Sequence, residues 1–284
     1  MGSRSKILLT GACGFTGTHL TNFLSKHAYE VFHLSSNILD VVDLEKELLE
    51  VSPDFVIHLA GISFAAHKNS EEIYRINTIG SINLLESCIK LGSLKRVIMV
   101  SSAAVYGITT NSCMNEMQCP CPVSHYGCSK LSMELLAKNY SQYFPLTIVR
   151  PFNYTGVGQD QIFVIPKIVK AFKEKATRIS LGNLNVYREY NDVRDVCAIY
   201  EKLLCDKSKY NLVNICSGKA ICLVEIISIL ETICGYKIET EVDEKLVRKN
   251  EIKSLYGSTA LLQKLTGYEF KYSIEHTLNW MLEE

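Results

Sequence analysis

Three glycines, Gly11, Gly14 and Gly17, lie between an apolar run (Lys6–Thr10) and a helical pattern (Phe15–Lys26), and they limit the available folds more than any other feature of the chain. A strand that turns through glycine directly into a helix opens a βαβ unit, because parallel strands need a helical crossover. The first half keeps this alternation. Tyr29–Leu34, Phe55–Leu59, Arg96–Val100 and Leu146–Arg150 read as further strands, and Glu71–Leu91 and Tyr126–Tyr143 as long helices. Short, continuously apolar strands separated by helices indicate a sheet covered on both faces.

The expected fold class is therefore α/β, a Rossmann-type doubly wound parallel sheet with a smaller C-terminal substrate-binding lobe. After Arg150 the pattern loosens, then returns with helical runs at Phe163–Glu174 and Asp192–Cys205 and a strand at Tyr210–Ile215. This places a nucleotide-binding domain over residues 1–155 and 187–216, and a discontinuous substrate domain over 156–186 and 217–284. A chain of 284 residues is long enough for one large core and a second lobe.

Composition removes several function classes. Thirty basic and thirty acidic residues cancel, and no basic run carries interleaved aromatics, so nucleic acid is not an expected partner. No apolar stretch approaches a membrane span, and the first residues lack the apolar core of a signal peptide, which points to a cytoplasmic protein. Gly2 is not set for myristoylation, because Lys6 stands where Ser or Thr is wanted. The eleven cysteines are odd in number and contain no CxxC pair. Cys119-Pro-Cys121 is their one cluster, and with no partner pair in view no metal is expected.

In its strand-to-helix context the glycine loop is a dinucleotide signal. Gly11 permits the tight turn, Gly14 lets backbone approach a pyrophosphate, and Gly17 allows close packing. Phe15 and Thr16 open the helix whose N-terminus faces the anion. An acid at the end of the second strand would bind the ribose diol and repel a 2′-phosphate. Here that segment reads His33-Leu34-Ser35-Ser36, which favours NADPH while leaving NADH open. Asp40, in Asn37-Ile-Leu-Asp40, suits a helix cap.

Tyr126 and Lys130 lie four apart on a helix and so share a face. An ammonium there would favour the ionised form of a phenol whose ordinary pKa is about 10. Ser102, at the end of a preceding strand, adds a hydroxyl that orients a carbonyl or alcohol oxygen. This set handles a proton beside a nicotinamide, with Ser102, Tyr126 and Lys130 as the catalytic residues.

With Ser101-Ser-x-x-Val-Tyr-Gly107, Tyr126-x-x-x-Lys130 and Arg150-Pro-Phe-Asn153 following the glycine loop, the chain resembles the extended short-chain dehydrogenase/reductases that act on nucleotide sugars. The likeness runs from about Lys6 to the C-terminus. It implies that Leu59, Ala60 and Gly61 line the cofactor, that Asp40 meets the adenine edge as the alternative to its cap, that Lys130 holds the nicotinamide ribose, and that Asn77 supports Lys130 through water. It places Ser63 and His67 on a loop facing the sugar, although a histidine there more often meets solvent. Asn153, Phe163, Arg188, Arg248 and Glu251 match positions contacting the substrate nucleotide. Guanidinium forks suit phosphate oxygens.

Dehydratases of that family carry an acid and a base just after the catalytic hydroxyl, where this chain has Ala103 and Ala104. The cysteine of the fucose-forming epimerase-reductases is likewise replaced, by Ala104. Chemistry at C4 remains. The closest likeness is to reductases of GDP-4-keto-6-deoxymannose, which implies reduction of a C4 ketone in polysaccharide precursor synthesis. An NAD-dependent C4 epimerase is the alternative. The family also pairs the helices around Ile79 and Leu135 across a two-fold axis, which implies a homodimer.

Overall fold

The computed structural model describes residues 4–63, 69–109, 111–247 and 253–284. His67, Arg248 and Glu251 lie outside the described residues.

Six strands form the central sheet: β1 (Ser5–Thr10), β2 (Tyr29–His33), β3 (Phe55–His58), β4 (Arg96–Val100), β5 (Leu146–Pro151) and β6 (Tyr210–Ile215). They lie in the order β6-β5-β4-β3-β1-β2, and every pairing is parallel. The strand order reverses between β1 and β3. Their carboxyl ends therefore open a crevice, the usual ligand position in an open α/β sheet.

Alternation along each strand sends neighbouring side chains to opposite faces. Ile7, Leu9, Ile57 and Ile98 pack beneath α1 (Phe15–Ser25) and α7 (Val193–Leu204). Leu8, Val56, Val97 and Met99 face α2 (Val41–Val51), α4 (Ser81–Ile89) and α5 (His125–Ala137). Both faces are dry, which is why these strands read as unbroken apolar runs rather than alternating ones. No further strand lies between β2 and α2, so Leu34 to Val41 is a short connection.

The helix expected over Glu71–Leu91 is a composite. A short α3 (Ser70–Tyr74) runs into a π-helical turn, Arg75–Gly80, before α4. A second core joins α6 (Val164–Lys173), α8 (Leu223–Cys234) and α10 (Ile274–Glu283) to a parallel strand pair, Arg178–Leu181 with Glu239–Val242. Leu262, in α9 (Ala260–Thr266), and Tyr268 pack into the first core, where the Tyr268 hydroxyl donates to buried Asp195 of α7. Residues within 217–284 thus also contribute to the first core. No helix among the described residues is long and apolar enough to cross a membrane.

Candidate active site

The glycine loop leaves β1 at Thr10. Gly11 has φ +68°, and a Cβ there would stand 2.8 Å from Ala60 N, so both the turn and its approach to the β3 end require glycine. Gly14 caps α1 with no side-chain hydrogen bond, and no acidic residue occupies the first turn. The opening N–H groups of α1, around Phe15, Thr16 and Gly17, thus have neither a side-chain cap nor a competing carboxylate. That is the donor set a pyrophosphate needs.

A buried relay fixes the opposite lip. Ala60 N donates to Thr10 Oγ1 (3.0 Å), which lies 2.7 Å from His58 Nδ1. His58 Nε2 lies 2.8 Å from Ser81 Oγ, and that hydroxyl donates to Asn77 O (2.7 Å). The Ser81 proton is thereby committed, so His58 donates from Nε2 and accepts the Thr10 hydroxyl at Nδ1. Burial, aided by Lys130, lowers the His58 pKa to about 3, so the ring is neutral.

Asn77, in the π-turn, accepts from Ile62 N (2.8 Å) and donates to Ile62 O and Ser129 Oγ. Its Oδ1 would stand 2.9 Å from a Cβ on Gly61, and Lys130 Nζ 3.1 Å from it. Gly61 therefore lets both groups close over the loop. Asn77 thus braces the backbone of Ile62, just past that loop. Ser63 is exposed at the rim.

Ser102 sits just past β4 and heads a short turn, its Oγ accepting from Ala104 N (3.1 Å). Ser124 caps α5 through Gly127 N, which sets Tyr126 and Lys130 one turn apart. Lys130 is only 4% exposed, and its Nζ donates to Val100 O (2.8 Å) at the β4 end. Burial lowers the Lys130 pKa to about 8, against the opposing effect of Glu134. Burial raises Tyr126, and the hydroxyl that draws it back is Ser102.

Arg150, part of the strand-end motif, is buried and pairs with Glu134, donating from Nη2 (2.6 Å) and Nε (2.9 Å). Ser101 Oγ donates to the same carboxylate. Glu134 escaped the sequence reading, although it continues the Tyr126–Lys130 face by one more turn. Glu47 escaped it too. Its carboxylate accepts from Ser35 N and Ser36 N, so the acid missing from the β2 end is supplied in space by α2.

The other expected residues are dispersed around the crevice. Asp40 caps α2, its Oδ1 accepting from Val42 N and Asp43 N, which realises the cap alternative. Asn153 is exposed beyond β5, with its carbonyl accepting from Asn191 N. Phe163 is half-buried at the head of α6, and Arg188 donates from Nη1 to Tyr187 O on a short strand paired with Ile221–Cys222. Ala103 is buried beside Ser102, with no acid or base at that position.

Residues 7–216 match the family described as NAD dependent epimerase/dehydratase. GDP-6-deoxy-D-talose 4-dehydrogenase of Aggregatibacter actinomycetemcomitans is 34% identical, over 94% of this chain and 93% of its own. GDP-6-deoxy-D-mannose reductase of Pseudomonas aeruginosa is 29% identical, over 98% and 96%. The solved structure of RMD from Pseudomonas aeruginosa complexed with NADPH superposes with a TM-score of 0.91 at 28% identity, covering all of this chain and 98% of that one. With its glycine loop at the strand-order reversal and its Ser, Tyr and Lys gathered at the end of β4, this chain belongs to the NAD dependent epimerase/dehydratase family.

Proposed function

We propose that the protein is an NAD(P)H-dependent reductase of the C4 ketone of a nucleotide-activated, GDP-linked 4-keto-6-deoxy sugar that supplies polysaccharide synthesis. The observation that carries this reading is the Ser102–Tyr126–Lys130 cluster at the end of β4, with alanines where an acid and base for dehydration would stand. The two GDP-sugar oxidoreductases similar along nearly the whole chain support it.

Gly11, Gly14, Phe15, Thr16 and Gly17 would hold the cofactor pyrophosphate, with Leu59–Gly61 along its nicotinamide half. When bound, the cofactor supplies the hydride. Ser102 Oγ accepts from Ala104 N and would turn its own proton to the ketone oxygen and orient it. Tyr126 gives its phenolic proton to that oxygen as negative charge develops there. Lys130, tied to Val100 O, keeps a positive charge beside the resulting phenolate. Asn153, Phe163, Arg188, Arg248 and Glu251 would contact the substrate nucleotide.

The test is loss of NADPH or NADH absorbance with purified protein and a freshly made GDP-4-keto-6-deoxy sugar. Stoichiometric loss with a 4-hydroxy product is expected. No loss, with bound NAD released on denaturation and interconversion of 4-hydroxy epimers, would replace the reductase by a C4 epimerase.

The working unit is a homodimer in this reading. Ile79 (53% exposed), Leu135 (66%), Leu136 and Tyr143 remain apolar and uncovered on the outer faces of the π-turn, α5 and the turn after it. A second copy would cover them, in line with the family resemblance. Sedimentation equilibrium should give twice the 32.0 kDa chain mass. Leu135→Glu should halve it, and a monomeric wild type would end the idea.

A further inference from the structure

The connection from β2 to α2 carries no acid at its β2 end, yet the backbone donors there are already occupied. Glu47 Oε1 accepts from Ser35 N (2.8 Å) and Ser35 Oγ (3.0 Å), and its Oε2 accepts from Ser36 N (2.7 Å). In a dinucleotide fold this segment, roughly twenty residues beyond the glycine loop, is where the adenosine ribose 2′ position is read. Burial pushes the Glu47 carboxyl upward, but the Ser35 and Ser36 donors outweigh it and hold the pKa below the ordinary carboxylate range. The group is charged at neutral pH. The other charged group on the connection is Asp40, also acidic, while His33 is engaged with Thr21 Oγ1. Among the described residues, no cation contributes to the Glu47 shift.

From this geometry we infer that Glu47 is the residue that discriminates against a 2′-phosphate. Its carboxylate takes the Ser35 and Ser36 N–H groups and the Ser35 hydroxyl, and it places a like charge where a 2′-phosphate would seek donors. The helix thereby performs the task that an acid at the strand end performs in other dinucleotide folds. The inference rests on the nicotinamide site proposed above and adds which residue sets its cofactor choice. Glu47 touches neither the ribose-linked nicotinamide end nor the catalytic Tyr126, so changing it alters cofactor preference rather than chemistry.

The experiment is calorimetric binding of NAD⁺ and NADP⁺ to the full chain and to Glu47→Gln. The variant should bind NADP⁺ about tenfold better relative to NAD⁺, the scale expected for removing one nearby like charge. NAD⁺ affinity should stay within about twofold on the same grounds. The kcat/KM ratio for NADPH over NADH should rise in parallel. A second arm needs no variant. Salt screens repulsion, so the wild-type NADP⁺/NAD⁺ affinity ratio should rise with ionic strength. A ratio that falls with salt would reveal a cationic phosphate subsite and overturn the inference. An unmoved ratio in Glu47→Gln, or equal loss of both cofactors, would make Glu47 a loop brace only. Failure of the wild type to bind either cofactor would overturn the nicotinamide reading itself, and the inference with it.

Discussion

Tyr126→Phe is expected to lower turnover by about a thousandfold, within the span usual for removal of a positioned acid, while NAD(P)⁺ affinity hardly changes. The phenylalanine keeps the ring and loses only the hydroxyl. Ser102 still donates to the ketone oxygen, so orientation survives and the proton does not. Ser102 is a poor replacement acid, because an alkoxide is far costlier to form than a phenolate. Lys130 is withdrawn onto Val100 O and is nearly buried, so it is badly placed to take over proton transfer. Single-turnover kinetics beside direct cofactor titration separates the two effects. A variant that retained a tenth or more of the wild-type rate would remove Tyr126 from the mechanism. Parallel loss of cofactor binding would show that the hydroxyl holds the nicotinamide ribose rather than moving a proton.

What the sequence made legible was local. The glycine spacing, the apolar strands and the four-residue Tyr–Lys interval each lie within one or two turns of chain, and each is found in the structure where it was read. The less legible features cross the fold. Glu47 reaches Ser35 only because α2 folds back along its own connection. His58 meets Thr10 from the neighbouring strand and Ser81 from beyond the π-turn, so its tautomer is a tertiary property. The π-turn itself gives no signal in a hydrophobic pattern, yet it is what turns Asn77 toward Ile62. A spacing of four shows that Lys130 is near, whereas desolvation depends on what the rest of the chain packs around the phenol. Asp40 shows the converse, since its capping role is local and was among the readings open from sequence.

Removing the Glu134 carboxylate should be the most destabilising single change near the site. Arg150 is buried, and Glu134 accepts two of its N–H groups, while Arg150 Nη1 has no partner at all. Glu134→Ala would leave a guanidinium charge in the interior with nothing to balance it, at a cost of roughly 3–5 kcal/mol. Urea unfolding should show it, and a loss below about 1 kcal/mol would mean that water reaches Arg150 and takes over. The milder Glu134→Gln tests the electrostatic link to Lys130. Burial holds Lys130 at about 8 against an ordinary 10.5, and Glu134 limits that fall. Below about pH 8 the folded and unfolded chains both carry this proton, and between about 8 and 10.5 only the unfolded chain does. The unfolded state then binds more protons, so the Lys130 contribution to native stability rises with pH through that window. Neutralising Glu134 should move the lower edge of the window further down. In Glu134→Gln the cofactor-free protein should therefore gain stability with pH from a lower starting point than the wild type, and Lys130→Met in the same background should abolish the difference. If the two profiles coincide before Lys130 is changed, the carboxylate braces Arg150 without tuning the lysine.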